Sequence, residues 1–146
     1  MIAQTIQLAL APVFVLVAMG NIMNILSTRL GRIVDRSRHL QERHTATSGP
    51  DHDMVVLEIR SIDQRIALIT RAIRLLVVSG LAIGMTVATL FFEELVTLDL
   101  QLVAAGFFLV AVALLMWALV LFLREIQIAA AQLRIPQDYL ELEREL

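Results

Sequence analysis

Three histidines and two acids near the middle of the chain are the first candidates for chemistry, because imidazole and carboxylate groups bind metal ions and move protons. The set is His39, His44, Asp51, His52 and Asp53. His39 and His44 are five residues apart, which places them on different faces of a helix. The chain has no cysteine that might complete a zinc site. We expect solvated histidines in a loop, and no metal site.

Other signatures of catalysis are missing from the sequence. There is no glycine-rich phosphate loop, no nucleophile beside a general base, and no histidine pair of the haem type within an apolar stretch. The lack of cysteine also removes thiolate chemistry and disulfides. A net charge of −2 leaves no overall basic field for nucleic acid. We therefore expect no enzyme, no cofactor and no nucleic-acid partner.

Two asparagines, Asn21 and Asn24, stand a helical turn apart in the first apolar stretch. A carboxamide in lipid costs free energy unless it has a partner, so both must face protein or water. Asn24 shares a helical face with Gly20, Ser27 and Gly31, and such small or polar residues let another backbone approach closely. Two interpretations stay open: hydrogen bonds between helices, or a ring of carboxamides that lines a hydrated path in an oligomer.

A basic cluster follows directly, and a second charged pair, Arg124 and Glu125, falls at the same predicted depth. The basic cluster comprises Arg29, Arg32, Asp35, Arg36 and Arg38. Asp35 is three residues from both Arg32 and Arg38, so it can pair with either. Three interpretations remain open: a solvated face near anionic lipid headgroups, a basic vestibule that attracts anions, or a network that bridges to Glu125.

Long stretches without ionisable side chains organise the chain, and 58% of its residues are hydrophobic, against about 45–50% in soluble domains. The uncharged stretches are residues 1–28, 75–92 and 100–123. About 20 residues cross a hydrocarbon layer of roughly 30 Å. The middle stretch is short for a span, so Ile73 and Arg74 would join it, with the guanidinium group of Arg74 extending to the headgroups. We predict an all-α integral membrane protein with spans at about 5–28, 74–92 and 100–123.

The distribution of arginine predicts the orientation. Residues 29–74 hold nine arginines, whereas residues 93–99 hold three acids and no base. The positive-inside rule then puts 29–74 and the C-terminus in the cytoplasm and the N-terminus outside, and in a bacterium the membrane would be the inner one. The first span lacks the basic start and cleavage site of a signal peptide, so we expect it to be retained. Glu93 and Glu94 would lie outside, as ordinary interfacial acids or as a cation-attracting ring.

A heptad pattern predicts that the first two helices extend beyond the membrane. Its members alternate four and three residues apart: Val55, Ile59, Ile62, Ile66, Ile69, Ile73 and Leu76. The first helix keeps a similar spacing to about residue 42, and the segment "HTATSGPDHD" is typical of a turn. We predict an antiparallel hairpin over about 29–73. Isoleucine at both positions also favours higher assemblies, so a role in self-association stays open.

Gly80 and Gly84, four residues apart in the second span, predict close helix packing. After the third span, an apolar face predicts a helix over about 124–135 that ends before Pro136. This helix either continues into the cytoplasmic bundle or lies in the headgroups. Residues 136–146 form an acidic tail.

Three segments carry a resemblance to a known family: "STRLGRIVDRSRHL", "RIALITRAIRLLVVSGL" and "LFLREIQIAAAQLRI". They resemble, in order, the signature segments of a family of small bacterial membrane proteins known as domain of unknown function 2721. The more specific parts are the cluster from Arg29 to Arg36 and the pair Arg124–Glu125. The resemblance implies three helices in a bacterial inner membrane and carries no activity. The acidic outer loop matches none of these segments.

Together these patterns predict a self-associating membrane protein, because a polar first helix is buried more easily against copies of itself than within one chain. The more specific hypothesis is a passive ion-conducting homo-oligomeric pore. Its lining would be Asn21, Asn24, Ser27 and Thr28, with Arg29 and Arg32 as an inner basic vestibule. The alternative is a non-conducting scaffold or accessory subunit whose cytoplasmic hairpin docks a partner protein.

Overall fold

Three long helices make up the computed structural model, which describes residues 2–133. Helix α1 spans Ile2–Ala46, α2 spans Pro50–Val96, and α3 spans Gln101–Gln132. The predicted all-α class is confirmed. At about 1.5 Å per residue, α1 and α2 each measure about 70 Å, more than twice the thickness of the hydrocarbon layer. The acidic tail and the last two residues of the predicted C-terminal helix lie outside the described residues.

Each helix contains a segment that is long and apolar enough to cross a membrane. Within these segments only 17–22% of the residues are buried inside the chain. The rest present leucine, valine, phenylalanine and methionine side chains to the surroundings. An apolar surface of this extent needs lipid as its solvent, which supports a membrane location.

Two short turns connect the helices. The first turn is shorter than the sequence pattern predicts, because α1 continues to Ala46. The hydroxyl groups of Thr45 and Thr47 donate to carbonyl oxygens of the last α1 turn, at 2.8 and 2.9 Å. Gly49, with φ of 72°, adopts a conformation that favours glycine, and Pro50 then starts α2. Thr97, in the left-handed region, ends α2.

A seven-residue repeat runs through the buried residues of all three helices. On α1 its members are Thr5, Pro12, Met19, Leu26, Ile33 and Leu40, on α2 Val55, Ile62, Ile69, Leu76 and Ile83, and on α3 Ala104, Ala111, Ala118 and Glu125. A seven-residue repeat is typical of helices that wrap around each other with a left-handed supercoil. Helix α2 packs along both neighbours, whereas α1 and α3 touch at few points.

The heptad pattern of α2 divides into two kinds of position. Val55, Ile62, Ile69 and Leu76 are buried, whereas Ile59, Ile66 and Ile73 are half-buried and pack on the edge of the core. Leu26, Ile33 and Leu40 of α1 belong to the same core. A continuous hydrophobic contact therefore also holds α1 and α2 together beyond their apolar segments.

Candidate functional site: a buried carboxylate and an open polar face

Glu125 is the one ionisable side chain among residues 2–133 that is fully buried. It occupies the fourth position of the seven-residue series of α3, after three alanines. Alanine leaves room for α2 to approach α3 closely, so the glutamate at the next position of the series must enter the same contact. A carboxylate in this place needs charged or hydrogen-bonding partners, because an unpaired buried charge costs several kcal/mol.

Arginines from the other two helices supply those partners. Arg29 of α1 donates from Nε and Nη2 to Glu125 Oε2, at 3.1 and 2.8 Å. Arg65 of α2 donates from Nε to Glu125 Oε1, at 2.9 Å. Each carboxylate oxygen thus binds a different helix. We call Arg29, Arg65 and Glu125 the three-helix ion cluster.

Neighbouring side chains extend the three-helix ion cluster on both sides. The guanidinium carbon of Arg29 lies 5.5 Å from the centroid of the Phe122 ring, within the range of a cation–π contact. Arg65 Nη1 donates to Gln132 Oε1 at 3.4 Å, and the amide of Gln132 donates to Ser61 Oγ. These bonds show that α3 continues along α2 after its apolar segment, rather than turning into the headgroup layer.

The cluster joins α1 to α3, which otherwise hardly touch. Two arginines and one glutamate leave it with a formal charge of +1. The side chains of Arg29 and Arg65 are 34% and 18% exposed, so the excess charge is partly solvated. This arrangement can hold three helices in register at the end of their apolar segments. It has no nucleophile or proton acceptor open to a substrate.

The other members of the predicted charge clusters are placed differently. Arg36 donates from Nε and Nη2 to Oε1 of Glu58, at 2.8 and 2.7 Å, in an exposed pair. Asp35, whose spacing would allow a pair with Arg32 or Arg38, makes no ion pair among residues 2–133. Arg29 and Arg36 therefore bridge helices, and neither is free to form an open vestibule.

Ser79 links all three helices within the apolar layer. Its hydroxyl donates to the carbonyl oxygen of Ala111 at 2.6 Å and lies 3.3 Å from Met19 Sδ. The serine is fully buried, so the hydroxyl needs such partners. Helix α2 is antiparallel to both neighbours, so residues that lie equally far from this contact in opposite directions along the chain are at the same level. Asn24, five residues after Met19, therefore lies level with Arg74, five residues before Ser79.

The predicted packing glycines fall in two environments. A Cβ atom on Gly80 would lie 3.7 Å from Leu16 Cδ1 and 3.8 Å from Met19 Cε, so Gly80 faces α1. Among residues 2–133, nothing lies within 4 Å of a Cβ atom on Gly20, Gly31 or Gly84. In that part of the chain only Gly80 of these four has a neighbour to accommodate.

The polar residues of α1 lie on the side opposite its core contacts. This surface, the α1 polar face, consists of Gly20, Asn21, Asn24, Ser27, Thr28 and Gly31, all of them exposed. Thr28 donates its hydroxyl to the backbone oxygen of Asn24 at 2.9 Å. The carboxamides of Asn21 and Asn24 have no hydrogen-bond partner among residues 2–133. The chain therefore leaves this face open to lipid, water or another molecule.

At the opposite end of the apolar layer, Glu93 and Glu94 lie beside the start of α1. Thr5 Oγ1 donates to Glu94 Oε2 at 3.2 Å, and both glutamates line a cavity of about 140 Å³ together with Gln4 and Gln101. Glu94 thus joins α2 to α1 at this end, and Glu93 lines the same cavity. At the turn between α1 and α2, the rings of His44 and His52 are in contact, with their centroids 4.5 Å apart and their planes tilted by 54°.

The sequence patterns do not single out Arg65, Ser61 or Gln132. Arg65 lies off the heptad seam, and its contact with Glu125 depends on the alignment of α2 with α3. The patterns point to Glu125 in one of the three interpretations of the basic cluster, as the residue to which a charge network would bridge. A signal for burial did exist, because Glu125 follows Ala104, Ala111 and Ala118 at seven-residue spacing.

Comparison with known proteins places these residues in a family context. The model of the family described as "Protein of unknown function (DUF2721)" matches residues 9–135. This range contains the three-helix ion cluster and the α1 polar face. No curated protein and no solved structure matches the chain.

Proposed function

The chain belongs to the DUF2721 family, whose function is unknown, and on that premise we propose that it is a self-associating membrane scaffold. Copies would join through the α1 polar face. The long α1–α2 pair would project into the cytoplasm and dock a partner protein. The proposed location is a bacterial inner membrane.

The observation that carries this proposal is the carboxamide of Asn21. It is exposed, has no partner within residues 2–133, and lies on the membrane side of Asn24. One helical turn, about 5 Å, separates it from the level of Arg74, where the charged residues of α2 begin. A hydrogen bond to a second copy would satisfy the amide, and such bonds contribute about 0.6 kcal/mol on average.

Glycine supports contact at the same surface. Gly20 and Gly31 flank the asparagines on the α1 polar face and leave open space beside the backbone. Small residues allow two helices to approach until their backbones touch, which is the usual basis of association in lipid. Neither glycine carries a side chain that a second α1 helix would have to displace, so the two backbones could approach closely at these positions.

The geometry favours a scaffold over the ion-conducting pore. The polar part of this side of α1 covers only residues 20–31, near one end of the apolar segment. The remainder of the same side is apolar and exposed: Leu10, Val13, Phe14 and Val17. A channel along it would have a dry constriction about 10 Å long, and hydrophobic constrictions of this kind stop ions.

Cysteine cross-linking tests the contact between copies, since the chain has no natural cysteine. We expect Ser27→Cys, on the α1 polar face, to form a disulfide-linked dimer when membranes are oxidised. Leu123→Cys, exposed on α3, is the matched control and should stay monomeric. Equal yields at the two positions would contradict association through α1.

Ion flux separates the scaffold from the pore. Purified protein in liposomes should leave the membrane tight to ions at high protein load. A flux that Asn24→Leu abolishes would establish the pore instead, while leaving the contact through α1 in place.

For the docking role, cross-linking in cell membranes should recover a second protein on the α1–α2 pair, and adducts between copies alone would contradict it.

A further inference from the structure

A groove between α2 and α3 lies outside both surfaces described above. It has a volume of about 610 Å³, and its lining includes Gln64, Leu68, Arg71, Arg124, Gln127 and Ile128. Two guanidinium groups and two carboxamides thus surround an apolar floor. None of these six side chains belongs to the three-helix ion cluster or to the α1 polar face.

The two arginines of this groove lack a counter-charge. Arg71 and Arg124 are exposed, and no acidic side chain among residues 2–133 pairs with either. The neighbouring carboxylate, Glu125, is occupied by Arg29 and Arg65. Two like charges in one groove repel each other, so an anion between them would lower the energy of both.

Helix geometry directs the two side chains towards a common level. From the Ser79–Ala111 contact, Arg71 lies eight residues back along α2, and Arg124 lies thirteen residues on along α3. Their backbones therefore differ by five residues, or about 7.5 Å along the helix axis. Side chains lean towards the N-terminus of their own helix, and α2 and α3 are antiparallel, so the guanidinium groups lean towards each other.

The groove begins where the apolar layer ends. Arg124 is the first charged residue after the uncharged stretch 100–123, and Arg71 lies one turn beyond Arg74. Lipid phosphates lie just outside the hydrocarbon layer, within the headgroup zone that adds about 5–7 Å on each side. Arg71 and Arg124 thus stand at the depth of phosphate groups, with acyl chains beside α3 on the membrane side.

We propose that this groove binds the headgroup of an anionic phospholipid, with the phosphodiester held between Arg71 and Arg124. Arginine presents several N–H donors in a fixed plane that matches phosphate oxygens. Gln64 and Gln127 offer donors and acceptors to hydroxyl groups of a headgroup such as glycerol. Basic pockets between helices at this depth are suited to anionic lipids. The site depends on membrane insertion and not on self-association.

Trp117 provides a probe that is already in place. It is the one tryptophan of the chain, it is 59% exposed, and it lies seven residues before Arg124 on the same side of α3. A lipid whose phosphate sits in the groove would place its acyl chains beside the indole. Lipids with brominated acyl chains quench tryptophan fluorescence at contact, so quenching reports which lipid occupies this position.

The experiment uses the full chain in phosphatidylcholine vesicles that contain a minor fraction of one brominated lipid. For the wild type we expect brominated phosphatidylglycerol to quench Trp117 at a concentration about 30-fold lower than brominated phosphatidylcholine, the effect of two arginines near an anionic lipid. The preference should disappear in R71Q/R124Q. The control R38Q/R43Q removes the same charge from exposed arginines of α1 and should keep the preference.

Three outcomes would overturn the proposal. Equal quenching by the two lipids in the wild type would show that the groove does not select anionic headgroups. An equal loss in R71Q/R124Q and R38Q/R43Q would assign the preference to overall charge. Displacement of phosphatidylglycerol by inorganic phosphate in the buffer would assign the groove to a free anion rather than to a lipid.

Discussion

Arg65 Nε lies 2.9 Å from Glu125 Oε1, although sixty residues separate the two in the chain. The pair joins α2 to α3, and Arg29 adds α1 through the second carboxylate oxygen. A membrane protein of three helices gains little from the hydrophobic effect between its helices, because lipid is as apolar as their side chains. The buried carboxylate of Glu125, which Arg29 and Arg65 share at the end of the apolar layer, instead specifies how the three helices align.

Replacement of Glu125 by glutamine should therefore destabilise the three-helix arrangement. The amide cannot balance Arg29 and Arg65, which would remain as two adjacent positive charges. Breaking a buried pair costs about 3–5 kcal/mol, and the partial exposure of Arg29 favours the lower end of that range. The free energy of unfolding in detergent micelles, followed by circular dichroism, measures the loss.

Glu58→Gln is the matched control for Glu125→Gln. It removes the acid of the Arg36–Glu58 pair, in which both side chains are exposed. Exposed ion pairs contribute at most about 1 kcal/mol, so this variant should unfold almost like the wild type. Similar losses in the two variants would mean that burial of Glu125 has no special role.

Ser79→Ala should loosen the contact of α2 with α3. The substitution removes the hydroxyl that donates to Ala111 and leaves that carbonyl without its second partner. Hydrogen bonds between membrane helices contribute about 0.6 kcal/mol on average and up to about 1.7 kcal/mol, so we expect a loss of about 1 kcal/mol. Thr89→Ala is the control, because the hydroxyl of Thr89 donates to the backbone oxygen of Met85, within its own helix. A smaller loss for Ser79→Ala than for Thr89→Ala would contradict the assigned contact.

Much of this architecture was predictable from the sequence, for identifiable reasons. Stretches without charges define apolar helices through composition alone, and the spacing from Val55 to Leu76 shows which side of α2 is buried. The use of Arg65 was not predictable, because it requires the alignment of α2 with α3 at Ser79 and Ala111. Helix α1 ends at Ala46, later than the spacing predicts, because the hydroxyl groups of Thr45 and Thr47 donate to carbonyl oxygens of its last turn.

Gly80 and Gly84 should respond differently to the same substitution. A Cβ atom on Gly80 would already lie in van der Waals contact with the side-chain ends of Leu16 and Met19, so a larger side chain would have to displace them. Gly80→Leu should therefore separate α1 from α2, at a cost of about 1–3 kcal/mol typical of overpacking. Gly84→Leu projects into open space and should leave the free energy of unfolding unchanged within about 0.5 kcal/mol. If the two variants lose stability equally, the contact of Gly80 with α1 is wrong.

The proposed orientation predicts which side of the membrane each turn occupies. Nine arginines in residues 29–74 favour the cytoplasm for the turn between α1 and α2, and the acids of residues 93–99 leave the other turn outside. Single cysteines at Ser48 and Leu98, both exposed, report the two sides in a chain that has no other thiol. In intact bacterial cells a membrane-impermeant maleimide should label Leu98→Cys alone, and after permeabilisation it should label both. Labelling of Ser48→Cys in intact cells would reverse the orientation and move the α1–α2 extension, with its proposed docking surface, to the outside.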